Sequence, residues 1–316
     1  MNKKRLGLVA MVIAALGLAI AVILMKMIPT MTGMPPEHVA IWRFAMAAPP
    51  LWLVIRLRRT NKPMVSEHRW WFIGLGFIYS LASFSAIFAL QWLSSSIYVI
   101  LIYIYPSLVV LFALLTGGPV PRLYWLGLPL TLLGLFFTTY EFGSKLVIDP
   151  VGFGITMVNA LALAAYMILS GKAFNGIENR LLGTSKVLSG GMMAGLLMFP
   201  LLGISTPDTI QGWMLLLAFG LFGTLMPIIA MNLSLGLLGA ARGSLIITLQ
   251  PVITVLLAMI FLNETLAIQQ WVGGGLVILA VVLLQHSPDR PAKQISDQAK
   301  CLVVQPAQSE PRDQSK

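Results

Sequence analysis

The chain has 316 residues, 58% of them hydrophobic and only 10% charged, with a mean hydropathy of +0.86. Soluble domains carry about 25% charged residues, so there are too few here to solvate a globular surface. The lone cysteine (Cys301) and the three histidines (His38, His68, His286) fall outside the apolar runs, which excludes an internal disulfide and offers no metal or cofactor chemistry inside those runs.

The first element opens on MNKKRLGLVAMVIAALGLAIAVILMKM. Its basic start imitates a secretory leader, but the apolar run from Leu6 to Met25 exceeds the about 7–15 residues of a leader and no A-x-A site follows it. It reads as a first membrane helix over 6–28. Nine further apolar runs follow, at 38–57, 70–91, 96–116, 122–140, 151–171, 184–203, 211–235, 242–263 and 267–285. The expectation is an all-α integral membrane protein of ten transmembrane helices, since many of these runs can cross a hydrocarbon core of roughly 30 Å. Residues 286–316, rich in Gln, Ser, Pro, Asp and Lys, are expected to form a disordered cytoplasmic tail.

Charge tests the count. Short cytoplasmic loops hold the Lys and Arg of a membrane protein. With an even number of spans and the N-terminus inside, the inner segments take Lys3, Lys4, Arg5, the cluster from Arg56 to Arg69, Arg122, Lys172, Arg180, Lys186, Arg242 and the basic residues of the tail. The outer loops take only Lys145, while Lys26 and Arg43 fall within spans. The acids Glu37, Glu141, Asp149, Asp208 and Glu264 lie at or near the outer face. The net charge of +10 therefore reflects topology and argues against a nucleic-acid partner. Both termini are expected in the cytoplasm and the chain in the cell membrane.

Within the fourth run, LIYIYPSLVV places Pro106 amid unbroken apolar sequence, and IITLQPVITV places Pro251 likewise 145 residues later. Aligning the prolines pairs Ile102 with Ile247, Val110 with Val255, Leu111 with Leu256 and Ala113 with Ala258. Trp125–Leu126–Gly127 answers Trp271–Val272–Gly273, and Ala14, Ala19 and Lys26 answer Ala160, Ala165 and Lys172, both at a spacing of 146. The shared spacing indicates a five-helix repeat. Five is odd, so the second copy enters the membrane inverted, and the loop charges agree: basic residues follow the second span but not the seventh, and the sixth but not the first. Inverted repeats are a common construction of secondary transporters. A mid-helix proline frees the carbonyl four residues back, here Ile102 and Ile247, and in hydrocarbon such a carbonyl must face protein or water. Pro106 and Pro251 are thus expected to mark bends that kink or gate.

At these residues the chain resembles the EamA family of the drug/metabolite transporter superfamily. The resemblance rests on the ten helices in two halves, the small-residue-rich first and sixth spans ending in Lys26 and Lys172, IWRFAMAA with Arg43 early in the second span, and Pro251, Glu264 and Gly273–Gly275 in the pattern P-x12-E followed by a glycine-bearing helix. It covers roughly 6–285. Pro119 stands where the second half has Glu264, so the acid is not duplicated. The resemblance implies two EamA-like repeats, 1–145 and 146–285, that move small metabolites, often outward.

Polar groups inside spans are costly and mark function by default. In the fourth span Ser95, Tyr98, Ile102 and Tyr105 step by three and four residues along one helical face, and Gln250 matches Tyr105 in the other half. Tyr79 and Ser83 share a face of the third span, with Thr224 matching Tyr79; Asn159 and Tyr166 are seven apart on the sixth. Each can equally serve as an interhelical hydrogen bond worth about 0.6 kcal/mol on average. Arg43 can clamp an anion bidentately or snorkel to the outer headgroups. Trp42 and Trp92 suit an interfacial belt, Glu264 a cap or gate at the outer boundary, and the glycines of 191–195 and 273–275 close helix approach.

No G-x-x-x-x-G-K-[ST] loop is present, and no Asp or Glu lies in mid-span, which argues against a simple proton antiporter; Glu141 and Glu264 at the outer edge are the exceptions. A membrane enzyme would need clustered nucleophiles, bases or ligands that the spans do not offer. The expected activity is secondary transport, as an exporter of small organic metabolites such as amino acids, by alternating access at a central cavity. The alternative is a channel or facilitator without alternating access. The expected partners are a small-molecule substrate and the bilayer, with monomer and homodimer both open and no cofactor implied.

Overall fold

The computed structural model describes residues 3–58, 66–93, 95–115, 124–139, 149–177, 179–203, 205–262 and 268–285. All regular structure among them is helical: α1 (Lys3–Thr32), α2 (Pro36–Leu57), α3 (Ser66–Ala89), α4 (Ser95–Ile102), α5 (Tyr105–Leu115), α6 (Tyr124–Thr139), α7 (Pro150–Ala173), α8 (Arg180–Leu202), α9 (Ile210–Gly220), a π turn (Leu221–Leu225), α10 (Met226–Leu238), α11 (Ala240–Ile246), α12 (Leu249–Leu262) and α13 (Ile268–Gln285). Among the described residues, seven stretches are long and apolar enough to cross a membrane: Lys3–Thr32, Pro36–Leu57, Arg69–Ala89, Pro150–Ala173, Arg180–Leu202, Ile210–Leu238 and Ala240–Leu257. Three shorter apolar helices, Tyr105–Leu115, Trp125–Phe137 and Trp271–Leu283, accompany them. Leu53, Leu126, Leu133, Leu161 and Leu197 are half exposed or more, an outward face suited to lipid rather than water.

Local chemistry sets the helix ends. Asp149 caps α7 by accepting from the backbone N–H of Val151 (2.8 Å) and Gly152 (3.1 Å), with Pro150 at the first position, where its missing N–H costs nothing. Asn179 and Thr209 cap α8 and α9 in the same way. The first helix runs past its expected end at residue 28, and in its last turns the Thr30 and Thr32 hydroxyls donate to carbonyls of the preceding turn. It stops at Gly33, whose φ of +68° suits glycine.

Three expected spans are interrupted. The fourth breaks at Tyr103–Ile104, between α4 and α5, and the ninth at Ile247–Thr248, between α11 and α12. Offset by 145 residues, the two breaks coincide to within one residue. Pro106 and Pro251 therefore sit in the first turns of the helices that resume, where proline is tolerated. Proline alone does not dictate this, because Pro29, Pro49, Pro50, Pro129 and Pro200 lie inside unbroken helices. The eighth span carries the π turn for a different reason. Pro227 cannot donate to the carbonyl of Gly223, and the ladder slips so that the Met226 N–H reaches Leu221 O.

The principal packing pairs join one half of the chain to the other: α1 with α10 and α12, α3 with α7 and α8, α2 with α8 and α9, α5 with α7, and α6 with α13. The set maps onto itself when the halves are exchanged. The first span against the eighth corresponds to the sixth against the third, and the pairs of second with seventh and fifth with tenth correspond to themselves. Glycines permit the closest crossings. Between α3 and α8, Gly76 faces the backbone of Val187 and Gly191, and Gly190 faces the carbonyl of Ile73; between α6 and α13, a Cβ on Gly134 would lie 2.7 Å from Gly273 O. The main core, including Met11, Phe44, Phe72, Tyr79, Tyr105, Tyr166, Leu188 and Ile228, is continuous across both halves.

Candidate functional site

Arg43 lies in the second turn of α2, enclosed by α3 and the π turn, and is only 9% exposed. Its side chain turns onto α3 and the π turn rather than out to the surface. Nε donates to the Thr224 hydroxyl (3.3 Å), one terminal nitrogen to Ser83 Oγ (3.4 Å) and the other to the Tyr79 hydroxyl (3.4 Å). The Phe44 and Phe219 rings each stand 5.3 Å from its Cζ, and the Tyr79 ring stands 5.8 Å away. The π turn presents Thr224 here: its hydroxyl accepts from Arg43 and donates to Phe219 O (3.3 Å).

The electrostatics of this cluster are unbalanced. Removing a guanidinium from water costs several kcal/mol, and no acidic side chain pairs with it among the described residues. Its hydrogen bonds, at 3.3–3.4 Å, exceed the usual N–H···O range and are weak. The aromatic rings add cation–π attraction, each up to about 2 kcal/mol in a desolvated setting.

From Tyr79 the polar network continues. Its ring packs on that of Tyr166 at 4.9 Å, the Tyr166 hydroxyl donates to Asn232 Oδ1 (2.8 Å), and Asn232 Nδ2 donates to Thr184 (3.3 Å). Asn159, two turns before Tyr166 on α7, donates to the Tyr98 hydroxyl (2.8 Å), while its own Oδ1 is buried without a hydrogen-bond partner.

Arg43, Tyr79, Ser83 and Thr224 are thus brought together, with Tyr166 adjoining them and Asn159 and Tyr98 forming a second locus. Tyr105 and Gln250 belong to neither set. The break at Tyr103–Ile104 interrupts the helical face expected to carry both Tyr98 and Tyr105, and Tyr105 packs instead beside Tyr103, ring centroids 5.7 Å apart. Gln250 is half-buried at the start of α12, its backbone N–H on Ile247 O (2.9 Å) and its carbonyl accepting from Thr254 (2.9 Å). Glu264 lies outside the described residues. Trp42, expected in an interfacial belt, packs edge-on against Trp213 (5.1 Å) and donates to Ser205 O (2.9 Å), tying α2 to the segment after α8 together with His38. Phe44, Phe219, Thr184 and Asn232 were not expected. Asn232 is polar in the middle of an apolar run, the signal that marked Asn159.

The sequence profile of the EamA-like transporter family matches residues 5–140 and again 151–285. The uncharacterized transporter sll1319 of Synechocystis sp. is 24% identical over 240 residues, 73% of this chain and 70% of its own. The uncharacterized transporter YcbK of Bacillus subtilis is 24% identical over 275 residues, 83% of this chain and 87% of its own. The fold is shared with a solved crystal structure, with a TM-score of 0.72 at 16% identity over 90% of this chain and 99% of that one.

Proposed function

The chain belongs to the EamA-like transporter family of the drug/metabolite transporter superfamily and is a multi-pass membrane transporter; on that premise we propose that it exports small organic metabolites such as amino acids by alternating access. In this reading the repeats, 1–145 and 146–285, are inverted with respect to one another, ten spans cross the cell membrane and both termini are cytoplasmic. A central cavity is lined by the Arg43 cluster, Tyr166, and the Tyr98–Asn159 pair, with Tyr105 and Gln250 beside the two breaks.

The observation that carries this is the paired interruption at Tyr103–Ile104 and Ile247–Thr248. A broken helix exposes backbone groups that hydrocarbon does not tolerate unless protein or a water-lined cavity receives them. Two such breaks at matched points of an inverted repeat supply one flexible element to each side, and exchanging their conformations exchanges the open face. The packing pairs, which survive exchange of the halves, support the same geometry. The Pro251 break is locally accommodated: the Thr248 hydroxyl donates to Leu245 O at 2.6 Å.

Half-buried Ser83 offers a direct test. In a Cys301→Ser background, Ser83→Cys should react with a membrane-impermeant maleimide in both right-side-out and inside-out vesicles, because the site opens to each face in turn. Labelling from one face only, with and without a pool of amino acids, would contradict the proposal.

A further inference from the structure

We propose that Arg43 is the counter-charge for a single carboxylate of the substrate, which makes the cargo a small monocarboxylate-bearing metabolite with an apolar body; this rests on the transport reading above and assigns its ligand chemistry.

The argument begins with the missing partner. All eleven acidic residues lie between the helices, beyond them, or at a helix cap or first turn, and none is placed inside a span. Glu37 shares α2 with Arg43, but six residues of α-helix put it on a different face. A buried cation is normally paired or bound to an anion, and here the described surroundings are hydroxyls and aromatic rings. Each terminal nitrogen of the guanidinium gives one N–H to a hydroxyl, which leaves it a second. One further donor on each terminal nitrogen is what bidentate binding of a carboxylate requires.

Position supports a role in the transport path. Arg43 bonds at once to Tyr79 and Thr224, which stand 145 residues apart and are repeat mates. A residue held between two repeat mates lies close to the pseudo-symmetry axis, where neither face of the membrane is favoured.

The charge count selects the anion. The repeat mate of Arg43 is the buried Leu188, so the second half contributes no matching cation; Lys26 is exposed on α1, and Lys186 and Arg242, near the starts of α8 and α11, are only half-buried. One buried positive charge neutralises a monoanion and leaves a phosphate dianion uncompensated. Phe44, Phe219 and Tyr79 around the guanidinium favour an apolar or aromatic body beside the carboxylate.

Purified protein, Arg43→Gln and Arg43→Lys are compared by thermal shift and by counterflow in proteoliposomes, using amino acids and short-chain monocarboxylates, each paired with its own amide. Wild type should bind one or more carboxylates and ignore the matching amide. Arg43→Gln should weaken that binding about ten- to a hundredfold, and Arg43→Lys, which keeps the charge without the fork, should recover part of it. A wild type that binds amide and acid alike, or binds no carboxylate, overturns the assignment whether or not the variants fold. So does Arg43→Gln with wild-type affinity. Arg43-dependent binding of a carboxylate without counterflow upholds the clamp and overturns transport, whereas counterflow of amides untouched by Arg43→Gln upholds transport and overturns the clamp.

Discussion

Replacing Gly190 by leucine is expected to destabilise the folded protein strongly. A Cβ at 190 would meet the carbonyl of Ile73 and lie 3.1 Å from Gly76 Cα. The obstacle is backbone on the facing helix, which cannot rotate away as a side chain can. Overpacking costs 1–3 kcal/mol where side chains can yield and more where they cannot, so at least about 3 kcal/mol is expected here, a large part of a marginal stability of 5–15 kcal/mol. Gly154 is the control: nothing lies within 4 Å of its Cβ position on α7, and Gly154→Ala should be neutral or stabilising by about 0.5–1 kcal/mol. Size-exclusion profiles and melting curves in detergent distinguish the two. A monodisperse Gly190→Leu protein with wild-type melting would mean that α3 and α8 do not cross as described.

The second large effect is on rate rather than folding. Pro106→Ala and Pro251→Ala restore the N–H groups whose absence accompanies the two breaks. Proline is disfavoured relative to alanine by about 3 kcal/mol in a helix interior but costs little in a first turn. Each substitution therefore stabilises the continuous helix while leaving the broken one nearly unchanged. A bias of up to about 3 kcal/mol shifts the balance by as much as roughly a hundredfold. The double variant is expected to melt no lower than wild type and to transport ten- to a hundredfold more slowly, with each single variant between. Wild-type rates in the double variant would show that the breaks are only packing features.

Much of this was legible in sequence for identifiable reasons. Arg43, Tyr79, Ser83 and Thr224 stood out because polar side chains are rare in apolar runs, and the pairing of Tyr79 with Thr224 followed from the repeat spacing. That all four would meet was not legible, since an Arg43–Thr224 bond across 181 residues depends on how the halves interleave. Periodicity reports which face of a helix is polar, not what that face will touch. The same limit hid Phe44 and Phe219, whose apolar character in an apolar helix carries no signal until a cation lies beside them. Prolines located the breaks only through their pairing, because Pro49 and Pro50 on α2 leave that helix intact. The π turn escaped because Pro227 reads as an ordinary kink, and its effect on Thr224 appears only once the ladder has slipped. Spacing put Tyr105 on one face with Tyr98 and the repeat matched it to Gln250, but the break beside it removes that helical face.

Counterflow tests the central claim most directly. Proteoliposomes preloaded with unlabelled amino acids and small organic acids are diluted into trace labelled substrate, and uptake is followed against empty liposomes. Alternating access predicts a transient, trans-stimulated accumulation of label, because a loaded carrier returns faster than an empty one. Uptake whose rate and extent are indifferent to the internal substrate would contradict it and leave the chain a channel with the fold of a carrier.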